Sequence, residues 1–144
     1  MKRTALLIII LSLSLQSSPA QGKQSMTISI NGLREAKGQV MVFVYNNADD
    51  FPTKRDKAFR AKKVPVTGAA IEVTFDDVPD GTYGVAVYHD ENMNDKMDRS
   101  WYGMPKEGYG ASNDAKGSFG PPSFDDAKFT FPAATKSIPI IIHY

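Results

Sequence analysis

The sequence predicts an all-β protein: an antiparallel β-sandwich of about seven short strands with one long loop rich in Gly, Pro and aromatic residues. Three observations predict this class. Apolar and polar residues alternate in short runs, as in Met26–Ile30 and Ile71–Phe75. Turn-forming Gly, Pro and Asp residues separate these runs, and no long stretch keeps the period of a helix.

The individual strands follow from this pattern. Residues 39–45 are apolar on both faces, which predicts a central strand. The Asp77–Gly81 segment contains a Pro and a Gly, which predicts a hairpin over 70–88 with Gly81 at a positive φ. Pro139 lacks an N–H, which predicts that the last strand lies at a sheet edge or begins at this residue. The predicted strands are 26–30, 39–45, 63–66, 71–75, 82–88, 128–131 and 137–143.

Two segments depart from the strand pattern. Residues 51–61 predict one or two helical turns. Residues 90–125 have no clear period, yet they carry many aromatic, Gly and Pro residues, which predicts a folded surface loop. Its aromatic side chains either form an exposed binding surface for an unknown ligand or protein, or close the open end of the sandwich.

The N-terminal segment predicts export from the cell. Lys2 and Arg3 precede the apolar run Ala5–Leu15, and small residues follow at Ser18–Ala20. This order is typical of a secretory signal peptide, and the run is too short for a membrane-spanning helix. The expected organisation is a signal peptide over 1–20 and a single β-sandwich domain over 21–144, located in the periplasm or outside the cell.

Composition narrows the classes of partner. Loss of Lys2 and Arg3 would change the formal net charge from +1 to −1. The basic residues between 54 and 63 are interspersed with Asp, so no basic stripe for nucleic acid and no polybasic membrane patch is present. The chain has no Cys, so an exported fold would depend on its core, or on its core and an ion.

The segment 89–98 carries the strongest chemical motif. Oxygen-bearing side chains recur at alternate positions, close to the spacing with which a short loop wraps Ca²⁺. Two positions depart from that pattern: Asp95 replaces the usual Gly at position 6, and Trp101 replaces the usual Glu at position 12. The predicted calcium ligands are Asp90, Asn92, Asn94, the carbonyl of Lys96, Asp98 and, from outside the loop, Glu107.

Other interpretations of the same residues stay open. The segment 89–98 is also typical of a solvated turn rich in Asn and Asp. A hydrolase could combine Ser112 or Ser123 with His89 and Asp90, although neither Ser lies in a nucleophile elbow. Zinc on His89, Asp90 and Asp98 would have fewer nitrogen or sulfur ligands than is usual.

Several ordered motifs resemble one family. They are VTFDDVPDGTYGVAVYHDENMNDKMD, WYGMPKEGYGASN and FGPPSFDDAKFTF, and they extend over nearly all of 27–144. The chain resembles the bacterial domain of unknown function 2141 family, which implies an exported β domain and no particular reaction. Members usually have Gly where this chain has Met93 or Asp95. The segment Phe75–Tyr83 is also similar to prealbumin-like and carboxypeptidase-regulatory-like sandwiches, which implies an accessory role.

The expected function is therefore an exported, non-enzymatic binding or accessory domain, stabilised by Ca²⁺ in the 90–98 loop. The alternative is a small periplasmic metal-dependent hydrolase that uses residues 89–98 and 101–124.

Overall fold

The structure, a computed structural model, describes residues 22–133 and 137–144, so the predicted signal peptide lies outside the described residues. The strands are β1 (Lys23–Asn31), β2 (Gln39–Tyr45), β3 (Arg60–Pro65), β4 (Ala70–Pro79), β5 (Gly81–Asp90), β6 (Tyr109–Ala111), β7 (Phe129–Phe131) and β8 (Ile138–Ile141). Helical structure in this part of the chain comprises 3-10 turns at Arg55–Lys57 and Ser112–Asp114 and the short helix α1 (Phe124–Ala127). The predicted all-β class is confirmed.

The strands form two sheets. One has the order β4-β1-β8, and the other has the order β3-β2-β5-β6 with β7 also paired to β5. Sequence predicted antiparallel sheets, but β8 runs parallel to β1. As Pro139 predicted, β8 lies at the edge of its sheet. Tyr109 and His143 exchange two backbone hydrogen bonds of 2.9 Å, which join the edges of the two sheets.

The main core fills the space between the sheets. Met26, Ile28 and Ile30 of β1 are fully buried in it, as their alternation predicted. Val40, Val42 and Val44 meet them from β2. Burial of these aliphatic side chains supplies most of the driving force for folding.

A second core covers the outer face of the larger sheet. Met41, Phe43 and Tyr45 of β2 point into it, so β2 is buried on both faces, as predicted for a central strand. Phe51 packs against Tyr45 and Phe124 with ring centroids 5.4 and 5.7 Å apart. The segments around Phe51 and α1 thus form a partial third layer.

The predicted hairpin over 70–88 is wrong. β4 pairs with β1, whereas β5 pairs with β2 in the other sheet. The turn at 79–81 therefore carries the chain from one sheet to the other. Gly81 has no positive φ, and Asp77 (φ 54°) takes the left-handed conformation instead. Asp77 lies where an extra residue shifts the register of β1 and β4.

The other irregular segments were predicted in part. The helical turn expected in 51–61 is a single 3-10 turn at Arg55–Lys57. The 90–125 segment is not one continuous loop, because β6 and part of α1 lie within it. Within residues 22–133 and 137–144, no helix has the length and apolarity needed to cross a membrane.

Candidate metal-binding loop and aromatic tip

The loop predicted to bind calcium begins at the buried end of β5. Asp90 is the last residue of that strand, and it has no solvent exposure. Met93 and Asp95 follow with φ of 60° and 63°. Asp95 thus takes the left-handed conformation that Gly usually provides at position 6, and Asp tolerates this conformation better than most residues.

Asp90 holds the loop together through its carboxylate. Its Oδ1 accepts the backbone N–H of Asn94 at 3.1 Å. Its Oδ2 accepts the N–H of Asp95 at 2.9 Å and the side-chain amide of Gln39 at 2.8 Å. Each carboxylate oxygen has two lone pairs, so one lone pair of Oδ1 stays available for another partner.

Asn92, Asn94 and Asp98 lie close together. Asn92 Nδ2 donates to Asp98 Oδ2 at 2.6 Å, and Asn94 Nδ2 donates to Asp98 Oδ1 at 3.0 Å. The amide oxygens accept backbone N–H groups: that of Asn92 from Asn94, and that of Asn94 from Lys96. Each oxygen of the Asp98 carboxylate therefore accepts one side-chain amide N–H.

Glu107 is buried beside this loop and contacts its backbone. Its Oε1 accepts the N–H of Glu91 at 3.1 Å, and its Oε2 accepts the N–H of Asp98 at 3.0 Å. It therefore links the two ends of the loop through backbone contacts. Lys96 contacts the loop through its backbone N–H, which donates to Asn94 Oδ1 at 2.8 Å.

The predicted ligands thus meet only partly. Asp90, Asn92, Asn94 and Asp98 form one hydrogen-bonded network, whereas Glu107 contacts the loop backbone. In the described part of the chain, no group of three or more His, Cys, Asp or Glu side chains is placed to hold a metal ion. An ion in the loop would need amide and carbonyl oxygens for most of its coordination, which suits Ca²⁺ better than Zn²⁺.

Residues that sequence reasoning missed fix the loop from outside. Gln39 donates to both Asp90 and Asp95, and Lys63 forms an ion pair of 2.7 Å with Asp95. The Lys63 ammonium, and then Gln39, hold the pKa of Asp95 below its usual value. The one signal in the sequence was Gln39 itself, a polar residue at the start of an otherwise apolar strand.

The nearby His89 is a structural residue in this geometry. It is fully buried, its Nε2 lies 2.7 Å from the carbonyl oxygen of Lys37, and its Nδ1 lies 2.7 Å from the hydroxyl of Tyr144. Both ring nitrogens are therefore occupied. The hydrogen bonds shown for Ser112 go to Val85 and Ala127, so this Ser is not paired with His89.

The other candidate nucleophile of the sequence is also engaged in structure. Ser123 accepts the N–H of Asp126 as the N-cap of α1. Its hydroxyl donates to the carboxylate of the same Asp126. The hydroxyls of Ser112 and Ser123 thus hold backbone in place, and the structure does not assemble the catalytic set considered from the sequence.

An ion pair lies next to His89. The Arg34 guanidinium contacts the Glu91 carboxylate through two hydrogen bonds of 2.6 and 2.8 Å. The same guanidinium lies 4.3 Å from the ring centroid of Tyr144. Hydrogen bonding to Arg34 lowers the pKa of Glu91, and partial burial opposes this effect.

This lowered pKa predicts acid sensitivity. Because the pKa of Glu91 is lower in the folded state, its contribution to stability is complete above its ordinary value of 4.5 and is lost as the pH falls through the folded value. We expect Glu91→Gln to be destabilising at pH 7 and less destabilising at an acidic pH below 4.5, where the carboxylate begins to be protonated. Urea unfolding of both proteins at the two pH values measures this. A difference in stability that stays constant with pH would contradict it.

The loop continues into a projecting turn over residues 99–105, here called the aromatic tip. Arg99 and Pro105 form an isolated antiparallel bridge at its base. Ser100 N–H donates to the Met104 carbonyl at 2.8 Å, and Gly103 N–H donates to the Ser100 carbonyl at 2.9 Å. Gly103 has a φ of 88°, which a turn of this kind requires of Gly.

Large side chains of the aromatic tip lie in solvent. Trp101 is 95% exposed, Tyr102 is 66% exposed and Met104 is 59% exposed. Phe119, farther along the chain, is also fully exposed, whereas Phe124 packs on the second core. Of the two interpretations of these aromatics, the structure favours an exposed surface over closure of the sandwich end.

Comparison with known proteins identifies the family. A family model described as an uncharacterized protein conserved in bacteria (DUF2141) matches residues 28–139. The chain therefore belongs to this bacterial family, domain of unknown function 2141. No curated protein and no solved structure is significantly similar to the chain.

Proposed function

We propose that this protein is an exported, non-enzymatic binding domain whose 90–98 loop is stabilised by Ca²⁺. One observation carries the proposal: a network of Asp and Asn side chains forms the base of a turn that exposes Trp101, Tyr102 and Met104. Ordered loops on a rigid β scaffold commonly carry binding residues. A large exposed apolar group on a small domain commonly marks an interaction site.

The calcium part of the proposal is supported by the available oxygens. Asp90 Oδ1 and the amide oxygens of Asn92 and Asn94 each accept one N–H, so each keeps a lone pair. Asp98 brings the second carboxylate, and rotation of the two amide groups away from it would admit a cation. The carbonyl of Lys96 and the carboxylate of Glu107 remain candidate ligands, with Glu107 requiring the larger rearrangement.

We expect Ca²⁺ to stabilise the folded protein. Extracellular Ca²⁺ sites of this type bind at about 0.1–1 mM, so about 10 mM Ca²⁺ should raise the melting temperature by about 5 °C. Mg²⁺ should raise it less, because Mg²⁺ requires a smaller and more regular shell. Thermal melts of the chelator-treated protein with each ion measure the effect.

Variants separate a bound ion from general screening of charge. Asp98→Ala and Asn94→Ala should remove most of the rise caused by Ca²⁺, and so should Asp90→Ala where it folds. Asp49→Ala serves as the control, because Asp49 is an exposed carboxylate outside the loop. Melts of the unmutated protein that coincide with and without Ca²⁺ would show that the loop is an Asn- and Asp-rich turn.

Export is the second part of the proposal. Its support is the order of charged, apolar and small residues in 1–20. We expect the exported protein to begin at or near Gln21, which N-terminal sequencing of the periplasmic or secreted fraction measures. Recovery of soluble exported protein that retains Met1 would contradict the signal peptide.

The alternative function is a metal-dependent hydrolase of the periplasm. It would use residues 89–98 and 101–124. Ser112, Ser123 and His89 do not support it, because all three are engaged in structural hydrogen bonds. Metal-dependent turnover of ester or amide substrates that is lost in Asp98→Ala would favour this alternative over a binding domain.

A further inference from the structure

The aromatic tip combines three unlike apolar side chains at one end of the molecule. Trp101 and Tyr102 contact each other with ring centroids 5.2 Å apart and planes at 84°. The two nearly perpendicular rings together form a wedge-shaped apolar surface. Met104 adds a flexible apolar chain that is also exposed.

Several backbone polar groups of the tip form hydrogen bonds within the tip itself. The Ser100 hydroxyl accepts the N–H of Met104 at 3.0 Å, and Nη1 of Arg99 donates to the Gly103 carbonyl at 2.9 Å. The backbone bonds among Ser100, Gly103 and Met104 close the turn. Polar backbone groups are costly to bring into an apolar phase unless they are paired. A turn with internal hydrogen bonds can therefore enter such a phase at lower cost.

Positively charged side chains lie within or close to the tip in the sequence. Lys96, Arg99 and Lys106 are exposed at its base. Asp95 is paired with Lys63, and Glu91 is paired with Arg34. Asp98 keeps its negative charge because its partners are neutral amides, whereas Asp90 and Glu107 are buried away from the surface. The unpaired charges exposed at this rim are therefore mostly positive. Cations beneath apolar groups match an anionic lipid interface, where Trp and Tyr sit at headgroup depth and Lys and Arg meet phosphate.

We propose that the aromatic tip inserts into the interface of a lipid bilayer that contains anionic headgroups. This inference rests on the proposed function and names the partner of its exposed tip. Attachment of this kind is peripheral: the tip supplies the apolar contact, its basic rim supplies the attraction, and the rest of the domain stays in water. Ca²⁺ in the adjacent loop would add positive charge on the same side.

Trp101 provides a direct test, because it is the single Trp of the chain. The purified protein is mixed with phosphatidylcholine vesicles with or without about one third phosphatidylglycerol. Trp101 emission should shift to shorter wavelength with the anionic vesicles, and added salt should weaken the shift. Contact through the apolar run 5–15 would leave Trp101 emission unchanged and is thereby distinguished.

Variants assign the binding to the tip. Tyr102→Ser with Met104→Ser should lower partitioning into anionic vesicles about tenfold or more by sedimentation. Lys106→Glu should lower it and reduce its dependence on salt. Phe119→Ser is the matched control, because Phe119 is an equally exposed aromatic outside the tip. Equal loss in the Phe119 variant would overturn the assignment to the tip.

The two proposals fail separately. A Ca²⁺-dependent melt without any Trp101 shift at low salt would overturn the lipid proposal, leave the calcium site standing and direct the search to a protein or glycan partner. A Trp101 shift on anionic vesicles that persists with chelator, in a protein whose melt ignores Ca²⁺, would support the tip and reject the calcium site.

Discussion

Gly38→Ala should destabilise the fold by about 3 kcal/mol or more. The backbone at this position has a positive φ, which is unfavourable for Ala, and there is no space for a Cβ atom. Gly38 has a φ of 68°, and a Cβ atom there would lie 2.3 Å from the carbonyl oxygen of Asp90 and 2.7 Å from Cα of Glu91. Both contacts are backbone atoms at the root of the 90–98 loop. Relief therefore requires the loop and the start of β2 to separate.

Two other glycines separate the cost of a positive φ from the cost of a steric clash. Gly103 has a φ of 88° but no atom near its Cβ position, so Gly103→Ala should cost only about 1 kcal/mol. Gly120 has neither a positive φ nor a close neighbour, so Gly120→Ala should be nearly neutral. Urea unfolding measures all three. A Gly38 variant no less stable than the Gly103 variant would show that the loop does not pack against Gly38.

The strands that the sequence predicted well are those whose burial is visible locally. β2 is apolar on both faces because it contacts both cores, so its sequence reports a central position directly. β4 and β5 were predicted as strands but paired wrongly. A turn signal such as Pro79 with Gly81 fixes a change of direction, whereas the sheet that each strand joins depends on distant partners such as β1.

β6 was missed for a related reason. It is only three residues long, Gly110 lies within it and Gly108 precedes it, so it carries no period. Its position depends on close approach to β8, since a Cβ atom on Gly110 would lie 2.3 Å from the carbonyl oxygen of Ile141. Such a close contact requires Gly, but a Gly in the sequence does not indicate which strand it contacts.

In the candidate site, too, local contacts could be predicted from the sequence, whereas contacts from other strands could not. The spacing predicted contacts between residues that lie close together in the sequence, namely Asp90, Asn92, Asn94 and Asp98. Gln39 comes from another strand, and its link to Asp90 could not be predicted. Asp95 was read as a weakness at a Gly position, yet its left-handed conformation is held by bonds from outside the loop.

Asp90→Ala should destabilise the metal-free protein by about 3 kcal/mol, because the change removes three hydrogen bonds to a buried carboxylate. The N–H of Asp95 loses this partner. The N–H of Asn94 keeps the amide oxygen of Asn92, and the amide of Gln39 keeps the carboxylate of Asp95. Unsatisfied donors in a buried position cost more than the bonds themselves contributed. The loss should therefore be measured in chelator, where no ion contributes.

Asp98→Ala is the control for Asp90→Ala in the metal-free protein. Asp98 is only partly buried, and its carboxylate partners are two side-chain amides that can turn to water. We expect Asp98→Ala to cost at most about 1 kcal/mol without metal, although it should abolish stabilisation by Ca²⁺. Equal costs in chelator would mean that the Asp90 carboxylate does not organise the loop, and that its role begins only when a cation binds.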